Sequence, residues 1–171
     1  MHGIGWLLVV ASVVGPASVP AGSGAPAPLV ALRPLGERAA RVLERGLAQS
    51  ASFRTLVAAA GGARTVVYVA LDPQLAIGLR GVTRLMRVST GERMMLIVLS
   101  PRACDDDVVA VLGHELQHVA EMAEAGVTTM AEVEAHYRKH GIAGSAGRFE
   151  TMAAWEAGTR VRSELASAPG K

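Results

Sequence analysis

The chain has 171 residues, a length that suits one domain, and half of them are hydrophobic while only 19% are charged, so a disordered, solvated polypeptide is excluded. The formal charge of +2, with no basic run longer than Arg138-Lys139, is too small to imply a nucleic-acid partner. A single cysteine, Cys104, excludes a disulfide framework and a cysteine-based zinc knuckle, and it reads as a small buried residue.

Residues 4–14 (IGWLLVVASVV) carry no charge, and a Pro/Gly/Ala/Ser stretch follows. The pattern predicts a signal peptide over 1–21, cut after Ala21, and a linker over 22–34. The pattern departs from the usual in having His2 but no Lys or Arg before the apolar run, and the alternatives are an uncleaved anchor or a mis-assigned start, although Pro16 and Pro20 would interrupt a spanning helix. No later segment approaches spanning length, so contact with a membrane is expected only if this segment is retained. The folded domain is expected over 35–166, with 167–171 as a tail.

Within that domain, Ala39, Val42, Leu43 and Leu47 share one side of a predicted helix over 35–49. Ser50 and Ser52 are cap candidates for a second helix over 53–60, ended by Gly61-Gly62. The period then changes. Strands are predicted over 65–71, 78–88 and 94–99, the last two joined as a hairpin around Thr90-Gly91-Glu92, which makes a small three-stranded antiparallel sheet. Asp105, Asp106 and Asp107 fall where a helix should begin, favoured by its positive end; a calcium site is the alternative reading of the triplet. That helix runs to Gly126, Thr129 and Glu132 form a capping box for one ending near His140, and a Gly-rich loop leads to a last helix over 148–166. Trp155 and methionines 86, 94, 95, 122, 130 and 152 read as core filling. The class is α+β.

The chemistry lies in His114-Glu115-Leu116-Gln117-His118. Histidines at i and i+4 leave a helix from one face, so both imidazoles can reach one zinc ion at about 2.0–2.1 Å. Glu115 flanks that ion without having to bind it and can take a proton from a zinc-bound water. Residues 111–120 are otherwise uncharged, as a buried helix with one catalytic face requires.

This segment resembles the zincin metallopeptidases, whose extended signature of uncharged residues around HExxH is met from 111 to 120. The order of helix, small sheet, active-site helix and later ligand-bearing helix is similar too, and the chain looks like a set of small exported bacterial proteins carrying HELQH followed by Glu. The resemblance implies a minimal zincin-like domain, zinc bound by His114 and His118, and Glu115 as general base. The metzincin branch is excluded, because Glu121 and Glu124 stand where its glycine and third histidine would fall.

In the gluzincin branch the third ligand is a glutamate on a later helix, in a pattern like E-x-x-A-D. Glu150-Thr151-Met152-Ala153-Ala154 matches its first four positions, which makes Glu150 the candidate, with His136 and His140 as competitors. Ala154 stands where an aspartate would support a histidine, and Glu121 is the candidate to replace it, or else forms an acidic wall of the cleft. For the donor to a tetrahedral oxyanion the candidates are Tyr137, His136, His140 and Arg148, with Tyr137 favoured because a neutral donor at the mouth is common in the resembling enzymes. The expectation is an exported zinc metallopeptidase acting on a peptide or protein. Its rivals are a non-catalytic zinc-binding module at the cell surface, a membrane-tethered interaction protein, and an Ala-rich helix in which His114 and His118 are satisfied polar residues and Glu115 a solvated acid.

Overall fold

The β-branched and aromatic run TVVYVAL and its neighbours build a sheet, and the segments with a helical apolar period build a helical layer on one face of it. The structure is a computed structural model that describes residues 31–61, 64–89, 92–143 and 149–168. The expected signal peptide and most of the expected linker lie outside the described residues, as do Arg148 and the end of the tail. No helix among the described residues is long and apolar enough to cross a membrane.

The elements in chain order are β1 (Ala31–Leu35), α1 (Glu37–Gln49), α2 (Ala51–Ala60), β2 (Thr65–Leu71), β3 (Gly81–Ser89), β4 (Glu92–Leu99), α3 (Asp105–Glu124), α4 (Met130–His140), β5 (Ile142–Ala143), β6 (Phe149–Glu150) and α5 (Met152–Ser167). The class is α+β. The sheet, however, is four-stranded and mixed, in the order β1-β2-β4-β3, where three antiparallel strands were expected. Only β3 and β4 are antiparallel, as the hairpin signal implied; β1–β2 and β2–β4 are parallel. Two physical reasons account for the difference. Pro34 lies in β1, inside the stretch read as linker, and an edge strand tolerates a proline because its outer N–H has no ladder to supply. Residues 72–80 then carry the chain past the neighbouring position, so β3 takes the far edge and β4 returns between β3 and β2.

Val67 and Val69 on β2 and Met95, Ile97 and Leu99 on β4 are buried beneath the helices. Val42, Phe53 and Leu56 meet them from α1 and α2, and α3 adds Val109, Leu112 and Leu116. On the other side of α3, Ala157, Val161 and Leu165 recur at i+4 along α5 and close the core. The two helices approach closely because Gly113 and Gly158 face the contact. A Cβ at 113 would lie 2.9 Å from Val161 Cγ2, and one at 158 would lie 3.1 Å from the Ala110 carbonyl oxygen and 3.2 Å from His114 Cβ.

Helix ends follow the local chemistry. Ser50 caps α2, accepting from Phe53 N at 2.9 Å, and Thr129 and Glu132 form the capping box of α4. Gly126, at φ +68, lies just beyond α3. Each aspartate of the 105–107 triplet meets arginine, which accounts for all three without calcium. Asp105 binds Arg38, whose guanidinium also reaches the carbonyls of Pro101 and Ala103; Asp106 binds Arg45; Asp107 pairs with Arg80 and Arg162. Cys104 precedes them as an exposed N-cap residue, against its reading as buried.

The last helix starts later than expected. Thr151 caps α5 by accepting from Ala154 N, so Phe149 and Glu150 are released to pair with Ile142 and Ala143 as β6 against β5. Glu150 therefore enters from a two-residue strand rather than from a first helical turn. Phe149 stacks on Tyr137, with ring centroids 5.9 Å apart and planes 13° from parallel.

Candidate metal centre

The four-residue spacing on α3 sets the rings of His114 and His118 edge to face, with centroids 4.9 Å apart. Glu150 comes to the same point from β6. Its Oε2 lies 2.9 Å from His114 Nε2 and 3.8 Å from His118 Nε2, and one donor atom from each of the three residues lies within 4.8 Å of the others. His136 and His140 lie on α4 with ring centroids 5.0 Å apart and planes tilted by 38°, and belong to no metal-sized cluster among the described residues.

Behind His118 sits a carboxylate. Glu121 Oε2 is 3.1 Å from His118 Nδ1, and Glu121 Oε1 accepts from the Thr151 hydroxyl at 2.7 Å. Because a carboxylate only accepts, this contact assigns the proton to Nδ1 and leaves the Nε2 lone pair facing Glu150 in the neutral ring. Glu121 thus stands where Ala154 could offer nothing, and Ala154 is itself buried in the core.

Glu115 points to the other side, toward the sheet. It is 6% exposed, and its Oε2 accepts from the Thr83 hydroxyl of β3 at 2.7 Å. Its Oε1 lies beside Gly81, where a Cβ would come within 2.6 Å, so a side chain at 81 would crowd that oxygen. Glu115 is not one of the three converging ligands.

The electrostatics follow. Burial pushes the Glu115 carboxyl above its ordinary value, and His118 and Thr83 offset this only in part. Burial works to lower His118, but the bonds to Glu121 and Glu150 outweigh it and carry the imidazole up to about 9. His114 first and His118 second hold Glu150 well below the usual carboxylate range. Two imidazole nitrogens and a carboxylate turned on one point make a donor set of the kind that binds a cation. Around a tetrahedral zinc with bonds of about 2.0–2.1 Å, donors stand about 3.3–3.4 Å apart. The separations of 2.9 and 3.8 Å lie on either side of that distance and the third is within 4.8 Å, so the three residues could hold a metal ion.

Tyr137 is not at the mouth of the site. Its hydroxyl is buried behind His118, 3.2 Å from Nδ1 and 3.2 Å from Glu121 Oε2, because α4 crosses on that side of α3. Its hydroxyl is engaged with His118 and Glu121 and so supports the histidine from behind. Trp155 is corrected as well: 62% exposed, it lines the cleft, with Met152 and Ile142 also exposed along it, so these are not core residues. The cleft, of about 730 Å³, runs from Glu150 past Trp155 and Gly158 to Arg80 and Arg162, a size typical of ligand sites. Thr83, Gly81 and Thr151 had not been singled out in the sequence. Their signal was faint: Thr83 and Gly81 alternate on the strand face that meets α3, and Thr151 directly follows Glu150.

Comparisons of the chain with protein-family models, with curated proteins and with solved structures find no match.

Proposed function

We propose that this chain is a zinc-dependent metallopeptidase of the gluzincin kind, with the ion held by His114, His118 and Glu150. The observation that carries the reading is the convergence of three ligands from α3 and β6 while Glu115, beside them, is held by Thr83 and left out of the ligand set. A bound zinc ion would polarise a scissile carbonyl and bring the pKa of its water to about 7.

The chain's own residues supply the rest. Glu121 holds the proton on His118 Nδ1, and so presents Nε2 as a lone-pair donor. Thr83 occupies Glu115 Oε2, which leaves Oε1 to take a proton from water and pass it to the leaving amine. Burial moves the Glu115 carboxyl above its ordinary value, the direction that suits a general base. The cleft beside it accepts an extended peptide or protein segment. Export is part of the proposal and rests on the apolar run at 4–14; N-terminal sequencing of the exported protein checks it, with Gly22 as the expected start.

The test is metal analysis joined to hydrolysis of a broad peptide mixture. About one zinc per chain is expected, lost in His114→Ala and in His118→Ala. Glu115→Gln should keep the metal and abolish cleavage. A zinc-loaded chain that cleaves nothing would instead favour a zinc-binding module without catalysis.

A further inference from the structure

We propose that the end of the cleft away from Glu150 is a carboxylate-binding subsite, formed by the guanidiniums of Arg80 and Arg162, and that the ligand it takes is an acidic peptide. This deepens the peptidase reading and rests on it only in treating that peptide as a substrate.

The starting point is a charge imbalance. Asp105 meets Arg38 and Asp106 meets Arg45, whereas Asp107 is shared by two arginines. Its Oδ1 lies 3.1 Å from an Arg162 nitrogen and 3.6 Å from an Arg80 nitrogen. An arginine keeps its charge at any physiological pH, so one aspartate neutralises one of the two and a positive charge remains. Arg38 and Arg102 place their nitrogens on backbone carbonyls. Asp107 is the one side-chain partner of Arg80 and of Arg162 among the described residues. Their side chains are 56% and 49% exposed, and exposed ion pairs of this kind contribute about 0–1 kcal/mol to a fold. The pairing therefore does little for stability, and a second carboxylate can join or displace it cheaply.

Both arginines line the same cleft as His114 and Glu150. Asp107 precedes His114 by seven residues on α3, and Trp155 precedes Arg162 by seven on α5, so each helix spans about 10 Å between the two ends. An extended peptide advances about 3.3 Å per residue, which places the subsite about three residues from the metal centre. An acidic side chain or the terminal carboxylate of a short peptide can reach it. The other end of the cleft carries the carboxylates of Glu115 and Glu150, and a peptide with one carboxylate is oriented by that contrast.

Calorimetric titration of the full chain, zinc-loaded and carrying Glu115→Gln to prevent turnover, tests the subsite directly. The probes are four N-acetyl tetrapeptides: the all-alanine amide, the same amide with glutamate or with glutamine at its third position, and the all-alanine peptide with a free carboxylate. At low salt, at least one acidic peptide should bind about tenfold more tightly than its neutral counterpart. Preference for the glutamate-containing amide alone assigns an acidic side chain, and preference for the free acid alone assigns a chain terminus. Arg80→Gln with Arg162→Gln should reduce the preference to less than about twofold with zinc content unchanged, and Asp107→Asn, which removes the internal competitor, should increase it. Equal affinities, no measurable binding of either acidic peptide, or a preference that survives the double substitution overturns the subsite. Hydrolysis by the parent chain without acidic preference sinks the subsite alone. Acidic preference without hydrolysis sinks the peptidase reading and leaves the subsite standing.

Discussion

Glu121 shows how much one side chain can decide. It fixes the tautomer of His118, accepts from Thr151 and sits beside the Tyr137 hydroxyl. Replacing a partner of this kind usually costs metal affinity rather than fold, so Glu121→Ala should weaken zinc binding by about 10–100-fold with little change in secondary structure. A competition titration against a chromophoric chelator measures it, and an unchanged affinity would remove the role assigned to Glu121. Thr83 acts on the other carboxylate. Thr83→Val keeps the shape and removes the hydroxyl, so kcat should fall by about tenfold or more with zinc content retained, and Thr83→Ser should restore most of it. A valine variant as active as the parent would show that Glu115 needs no such support. At this scale the sequence was most legible where spacing alone sets geometry, as for His114 and His118. It was least legible for Tyr137, whose role depends on which side of α3 the helix α4 crosses, and no local pattern encodes that.

Elements add two constraints that the motif does not contain. The first is the α3–α5 contact, where Gly113 and Gly158 admit the opposing helix. Gly158→Val should cost about 1–3 kcal/mol through overpacking, and the displacement should reach His114, so zinc affinity should fall together with Tm. A variant with parental stability and zinc affinity would mean that this contact has room to spare. The second is the junction of α5 with the start of α2. Glu164 accepts from the hydroxyls of Ser50 and Ser52 and from Ser52 N, placing a carboxylate at the positive end of α2. Burial works to raise its pKa, but the Ser50 and Ser52 bonds prevail and hold it below the ordinary value. A carboxyl depressed by folding contributes stability above its unfolded pKa and loses it as the pH falls through the folded one. Glu164→Gln should therefore destabilise by about 1 kcal/mol at pH 7, with the difference from the parent shrinking as the pH is taken below about 4. Urea titrations at pH 7 and pH 3 check the sign. Helix positions were read well from capping residues and apolar period. Strand order was not, because Pro34 disguises β1 and the path of residues 72–80 leaves no signature in the residues it bypasses.

Across the whole molecule, the three residues of the candidate centre come from parts of the chain that meet only in the folded state: α3 is sandwiched between the sheet layer and α5, and Glu150 arrives after α4. A metal that binds only the assembled site stabilises it by mass action, by about 2.7 kcal/mol at a free concentration 100 times the dissociation constant. The thermal transition of the full chain should therefore rise with added zinc. Glu150→Ala should lose most of that rise while keeping the metal-free transition, since its carboxylate is largely exposed and outside the core.

Thr151 gives the centre a closed circuit. From His118 the path runs to Glu121, from Glu121 to the Thr151 hydroxyl, and from Thr151 by one peptide bond to Glu150, which returns to the histidines. A loop closed in this way acts as a latch on exchange. For an ion held there, a movement of β6 away from the histidines would break the Thr151–Glu121 bond. The same bond adjoins the cap that Thr151 makes on Ala154, so release of the ion and fraying of the first turn of α5 become one event. The latch would appear as residence time: Thr151→Ala should speed zinc release far more than it slows capture, and Ala154 N–H should exchange with solvent at a rate that follows metal loss.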